Sequence, residues 1–232
     1  MRTAAILPVK RFPLAKQRLG QSVADPLRLE LARAMVGDVL SALRDCSAIE
    51  TTIVVTNEPS VAAAGRYLGA IVVEDSAEQG QSAAAELGIA RALADKIERT
   101  LCVPGDCPTL DPGELEALLG EHTSGLTIVP DRHGSGTNGL LLSPPGAISP
   151  SFGPDSRERH ELLAREAGLE HRLAQPASLL LDIDTGDDLA ALRERLVGER
   201  VRAPRTRTVL GLGKAKEAHA ATRTDACSSR AA

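Results

Sequence analysis

Carboxylates at the ends of apolar runs are the residues in this chain best suited to chemistry. Leu101-Cys102-Val103-Pro104-Gly105-Asp106 reads as a buried strand whose ladder Pro104 and Gly105 break, leaving Asp106 at its carboxyl end. Leu181-Asp182-Ile183-Asp184 reads as a second acidic strand end. Open α/β sheets bind ligands at that edge, and carboxylates gathered there can hold a divalent cation over a polyphosphate. The plainer alternative is that Asp106 caps a turn. Cations supply the complementary half. Lys10, Arg11, Lys16 and Arg18 follow directly on the first apolar run. At the ligand edge they can neutralise a triphosphate and stabilise charge that builds up in its cleavage, Lys16 among them. A solvated basic loop is the competing account.

A second constellation lies in the carboxyl half. Gly153-Pro154-Asp155-Ser156 precedes a helix, so its backbone N–H groups and the Ser156 hydroxyl form a ready anion site, with Asp155 or Ser156 as the helix cap. Arg157, Arg159 and His160 add positive charge. The loop Gly134-Ser135-Gly136-Thr137 could turn further N–H groups and a hydroxyl toward the same anion. An ordinary capped helix and a glycine turn would need no ligand. His133 and His160 are candidate acid–base residues or simply partly exposed polar positions. Cys107 has no evident base beside it. The chain contains no GxxxxGK[ST] loop, no dinucleotide fingerprint and no Gly-x-Ser-x-Gly elbow.

The elements that must position these groups follow from periodicity. Residues 4–7 read as a first strand ended by Pro8. Asp25-Pro26 opens a long helix to about Cys46, with Leu27, Leu31, Ala34, Met35 and Val39 on its apolar stripe. Residues 51–55 form a strand, 61–68 a short helix, 70–73 a third strand and 82–94 an alanine-rich helix. The strand before Asp106 comes next, and Asp111-Pro112 then opens a helix with Pro at its first position and Glu114 three residues after the cap. Strands alternating with helices imply an α/β, mainly parallel, doubly wound sheet. In the second half, 126–129 and 140–142 read as strands, 156–167 as a helix, 179–183 as the last strand and 187–196 as a final helix capped by Thr185.

Composition bounds the rest. The 232 residues suit one α/β domain, residues 1–199, followed by a basic and mostly disordered tail, 200–232, that the domain does not need. The tail carries a net +6 and leaves −10 on the body. An acidic body with only 1% aromatics, Phe12, Tyr67 and Phe152, argues against nucleic acid as a partner. Cys46, Cys102, Cys107 and Cys227 form no CxxC pair, which suits free thiols in a reducing cytoplasm. No run reaches signal-peptide or membrane-spanning character, so a soluble cytoplasmic protein is expected.

Taken in order, Pro8-Val9-Lys10 with Phe12, Ala15-Lys16 and Arg18-Leu19, then Pro104-Gly105-Asp106-Cys107-Pro108, then Asp131-Arg132 through Gly136-Thr137-Asn138, then Phe152-Gly153-Pro154-Asp155-Ser156 with His160, and finally Leu181-Asp182-Ile183-Asp184-Thr185, the motifs resemble one family. It is that of the 2-phospho-L-lactate guanylyltransferases of coenzyme F-420 biosynthesis, which includes phosphoenolpyruvate guanylyltransferases. The resemblance covers about residues 3–197. It implies a Rossmann-like, three-layer nucleotidyltransferase fold of the glycosyltransferase-A type with a mainly parallel mixed sheet. It implies transfer of GMP from GTP to a phosphorylated three-carbon acid, with release of pyrophosphate. Asp106, Asp182 and Asp184 would hold Mg2+. Lys10, Lys16 and Arg18 would bind the nucleotide, with Asp106 and Lys16 catalytic. Thr137, Gly153 and Ser156 would bind the phosphoenolpyruvate-type acid. A homodimer fits this pattern, as does passing the product to the next pathway enzyme. Rival functions are transfer to 3-phospho-D-glycerate, a molybdopterin or a sugar phosphate, or non-catalytic nucleotide binding. Gln81-Ser82 departs from the Leu-Asn step common in the family, where guanine or ribose would be read, and Gly186 stands where a Pro is common.

Overall fold

A computed structural model of the chain describes residues 1–14, 19–121, 124–197 and 201–212. Seven strands form one sheet: β1 (Thr3–Val9), β2 (Thr51–Thr56), β3 (Ile71–Val73), β4 (Arg99–Cys102), β5 (Gly125–Pro130), β6 (Thr137–Ser143) and β7 (His171–Leu173). Their order is β3-β2-β1-β4-β6-β5-β7. Only β6 runs against the rest. That reversal matters for function, because it carries the amino end of β6 to the edge where β1, β4 and β5 end.

The sheet is sandwiched because its strands alternate. Ala5, Leu7, Val54, Leu101 and Leu141 face α1 (Asp25–Asp45), α2 (Pro59–Tyr67) and α4 (Pro112–Glu121). Ala4, Ile6, Ile53, Val55, Cys102 and Leu140 face α3 (Gln81–Ala94) and α5 (Ser156–Glu166). The helix α3 lies so close to β1 that a side chain on Gly88 would collide with Ile6. A third apolar cluster joins α1 to α6 (Gly186–Leu196) and α7 (Pro204–Val209) through Leu31, Met35, Leu192, Ala203 and Leu210.

The expected elements of the first half are present, with one difference. Pro8 does not end β1, which runs on to Val9. The ladder between β1 and β4 stops at the pairing of Ile6 with Cys102, and Ile6 O then accepts from Val103 N. Pro8 faces the same side as Ile6 beyond the end of β4, so its missing N–H leaves no ladder bond unmade.

In the second half the expected last strand is absent. Residues 177–179 form a turn of 3-10 helix, and Leu181, Asp182, Ile183 and Asp184 follow as an irregular loop outside the sheet. The apolar residues of that segment are buried, but its backbone bonds go to Asp106 O and to the Asp188 side chain rather than to a strand. The seventh strand is instead the short, half-exposed β7, paired with β5 at the edge.

The tail expected from Arg200 also needs correction as far as Leu212. Residues 201–212 fold back on α1, where the buried carboxylate of Asp38 accepts from Arg205 N at 3.1 Å and Thr206 N at 2.8 Å. Those bonds satisfy the free N–H groups at the start of α7, and Ala203 and Leu210 are buried beside it. The rest of the expected tail, residues 213–232, lies outside the described residues.

Candidate active site

The acidic centre is assembled from two loops far apart in sequence. β4 delivers Asp106 to the turn that follows it, at the carboxyl edge of the sheet. The loop 177–184 crosses over this turn and is tied to it at several points. Ile183 N donates to Asp106 O at 3.2 Å, and Thr109 Oγ1 donates to Ser178 O at 3.3 Å. Glu114, in the first turn of α4, accepts from Ser178 N at 2.8 Å, while Asp111 caps the helix through Gly113 N and Glu114 N. The consequence is that carboxylate oxygens of Asp106, Asp182 and Asp184 all lie within 4.8 Å of one another.

Each outer carboxylate is held from behind. Asn138, at the start of reversed β6, donates its side-chain N–H groups to Leu179 O at 3.0 Å, Leu180 O at 3.2 Å and Asp182 Oδ1 at 3.1 Å. One buried amide therefore sets both the loop and its carboxylate. Asp184 N donates to Asp188 Oδ2, which also accepts from Thr185 N and Thr185 Oγ1 in the capping box of α6. Asp188 is in turn paired with Arg132 at 2.6 Å. Burial, reinforced by the charges of Asp106 and Asp184, pushes the Asp182 carboxyl up to about 6. Three crowded carboxylates of this kind fit a hard divalent cation: the donor set is all oxygen, and a cation would relieve the repulsion that the folded chain otherwise carries.

These residues line one wall of a cleft of about 700 Å³. Thr137, Gly153 and Ser156 line the same cleft, with Asp131, Ser135 and Gly136. Gly153 has φ of 113° and Asp155 is also left-handed at 54°, so the chain turns sharply before α5. Asp155 makes no side-chain cap, contrary to expectation, because that conformation turns it away from the helix start. The expected cations of this corner do not face the ligand space. The guanidinium of Arg159 braces the loop from behind, donating to Ser151 O, Ser151 Oγ, Phe152 O and Pro154 O. Arg157 lies against Glu158 and Glu161. What remains toward the cleft is hydroxyls and backbone, together with Asp131, whose Oδ1 accepts from Ser135 N at 3.0 Å.

Lys10, after β1, and Gly80 and Gln81, at the amino end of α3, also line the cleft. Arg11 is not free to meet a triphosphate, since it pairs with Glu78 at 2.7 Å. Lys16 and Arg18 lie outside the described residues. Ser82, part of the unusual Gln81-Ser82 step, accepts from Phe152 N at 2.9 Å and so fastens the loop before α5 to α3. Sequence reasoning missed Asp75. It is buried, lines the cleft, and uses Oδ1 to accept from Glu78 N at 3.1 Å. No local motif marks it.

The two histidines separate. His133 is exposed beside Arg132. His160 is fully buried, edge-on to Phe152, and belongs to the wall behind Thr137. Cys107 is buried against Leu179 O and does not line the cleft.

The model of the guanylyl transferase CofC-like family matches residues 3–204. The chain belongs to that family. It is 47% identical over 213 residues to a phosphoenolpyruvate guanylyltransferase of Conexibacter woesei, covering 90% of this chain and 96% of that one. A phosphoenolpyruvate guanylyltransferase of Sphaerobacter thermophilus is 35% identical, covering 83% and 93%. Among solved structures, a Desulfovibrio desulfuricans protein described as a nucleotide-diphospho-sugar transferase superposes with a TM-score of 0.71 at 18% identity, covering 91% and 95%. A nucleotidyl transferase from Methanothermobacter gives 0.62 at 16%, covering 84% and 97%. The fold is the three-layer nucleotidyltransferase fold, and this CofC-like chain is a guanylyltransferase by family.

Proposed function

We propose that this enzyme transfers GMP from GTP to the phosphate of phosphoenolpyruvate, releasing pyrophosphate, as a step of coenzyme F-420 biosynthesis. The observation that carries the reading is the cleft itself. An acidic trio shares a cleft with the hydroxyls of Thr137 and Ser156 and the backbone of Gly153, in a space large enough for a nucleotide and a small acid. The relatives' names supply the acceptor.

Asp106, Asp182 and Asp184 are the residues that would hold Mg2+. Once bound there, the ion supplies positive charge to phosphate oxygens and helps pyrophosphate leave. The chain's own groups do the remaining work. Thr137, Gly153 and Ser156 seat the three-carbon acid. Lys10, with Lys16 and Arg18, meets the triphosphate, and the amino end of α3 adds its positive pole. Asp75 offers the carboxylate that the N1–H and amino group of guanine require. The attacking oxygen belongs to a phosphate already ionised near neutral pH, so no strong base is needed. It displaces pyrophosphate from the α-phosphorus in line, and alignment with charge screening accounts for the rate. Asn138 and Asp188 keep the carboxylates in place throughout.

No helix among the described residues is long and apolar enough to cross a membrane. Cys46 and Cys102 are free and buried, which supports work in the reducing cytoplasm, where GTP is abundant. The deciding experiment supplies GTP and Mg2+ with phosphoenolpyruvate, 2-phospho-L-lactate or 3-phospho-D-glycerate, and identifies the product by mass. A guanylylated phosphoenolpyruvate is expected. Pyrophosphate release only with a sugar phosphate or a molybdopterin would refute the acceptor, and nucleotide binding with no release under any acceptor would refute catalysis.

A further inference from the structure

His160 is fully buried in α5, and its ring contacts are unusually informative. Nε2 lies 2.9 Å from the backbone N–H of Ser151. A backbone N–H can only donate, so Nε2 must present its lone pair. Nδ1 lies 3.1 Å from Thr137 Oγ1. Burial, with a smaller contribution from the Arg159 charge, lowers the imidazolium to about 4, so the ring is neutral near pH 7. A neutral imidazole carries one proton, and with Nε2 accepting, that proton sits on Nδ1. Nδ1–H therefore donates to Thr137 Oγ1.

This fixes the polarity of Thr137. Its hydroxyl oxygen accepts from His160, so its hydrogen must go to some other acceptor. Thr137 makes no further side-chain hydrogen bond among the described residues, and it lines the cleft beside Gly136, Gly153 and Ser156. We infer that His160 is a positioning residue that locks Thr137 as a hydrogen-bond donor at the acceptor subsite, so that the subsite selects an anionic oxygen of the phospho-acid. The inference rests on the reading of that wall as the acceptor site. It gives the subsite a donor aimed at an anion, which matters because Arg157 and Arg159 are both engaged elsewhere and Asp131 lines the same cleft.

Two measurements on the full chain test it. The first is 15N NMR of the wild-type histidines near pH 7, which reads the tautomer without any assay. A proton on Nδ1 of His160 is expected; a proton on Nε2 overturns the inference. The second is a set of variants assayed with GTP and phosphoenolpyruvate. In H160Q the amide oxygen can replace Nε2 as the acceptor for Ser151 N–H, but the donor to Thr137 is lost. In H160N the amide nitrogen can replace Nδ1. H160Q should raise the acceptor KM by about tenfold, leave the GTP KM alone, and have no further effect in a T137V background. H160N should recover most of that loss. If H160Q and H160N raise both KM values alike, or if H160Q and T137V multiply, His160 is merely structural and the inference fails. An unchanged acceptor KM in T137V would sink the acceptor reading, and the inference with it.

Discussion

Asp182→Asn should make the metal-free enzyme more stable while disabling it. The Asp182 carboxyl is pushed up to about 6 by burial first and by Asp106 and Asp184 next, against 3.8 when unfolded. Between those values the folded chain binds the extra proton. Stability contributed by this group is therefore full at about pH 4 and lost as pH rises through 6. A shift of about two units corresponds to at most about 3 kcal/mol at pH 8. Asparagine removes that penalty and keeps the geometry, because its Oδ1 can still accept from Asn138 while its amino group faces the other two carboxylates. With a chelator at pH 8, Tm of the variant should exceed that of wild type by roughly 5–10 °C. The gap should close as pH falls toward 4.5, where the wild-type carboxyl is already protonated.

Added Mg2+ should then reverse the order. A cation at one hundred times its Kd adds about 2.7 kcal/mol to the protein that binds it, and the variant should gain little. Differential scanning fluorimetry over pH and Mg2+ covers the whole comparison. Equal Tm values at pH 8 without metal would refute the reasoning. So would a gap that persists unchanged on acidification, since it would not come from ionisation of Asp182.

The other expectations follow from single contacts. Asn138→Ala releases Leu179 O, Leu180 O and Asp182 together, and should lower Mg2+ affinity by about 10–100-fold, read by titrating activity against Mg2+. Ser156→Ala should raise the phosphoenolpyruvate KM several-fold and spare the GTP KM; the opposite split in initial-rate kinetics would reassign that wall. Asp75→Asn should raise the KM for GTP and relax discrimination against ATP, measured by competition. Truncation after residue 212 should leave Tm unchanged. Truncation after residue 202 should lower Tm by about 10 °C, because Asp38 loses the N–H groups of α7 and Leu31 and Met35 lose their cover.

Much of the amino half was legible because each of its elements carries its own signal. The β-branched run at β2, the Asp25-Pro26 start of α1 and the Pro104-Gly105 break after β4 are local features. Asp106 could be placed from them alone. The carboxyl half depends on pairings that leave no local trace. Residues 181–184 alternate apolar and acidic like a strand end, and the acids do reach the site. They reach it on a loop, whose bonds go to Asp106 O, Asn138 and Glu114 rather than to a ladder. The strand β7 was missed because three half-exposed residues at an edge have no readable period. Residues 201–212 looked structureless because the partner of their backbone, Asp38, lies 167 residues away.

The same distinction separates the two kinds of site residue. Groups proposed to touch substrate or metal are recognisable by type: carboxylates at an edge, a glycine corner with a hydroxyl. Groups that aim them are not. Asn138, Asp188 and His160 are ordinary polar residues until the fold shows what each is bonded to. All three also satisfy backbone groups, at Leu179, at Asp184 and Thr185, and at Ser151, so they serve stability and alignment through one set of bonds. A substitution at such a position therefore moves Tm and kinetics together, whereas loss of a metal-facing carboxylate should drive them apart. That contrast is measurable, and it distinguishes a residue that holds the site from one that acts in it.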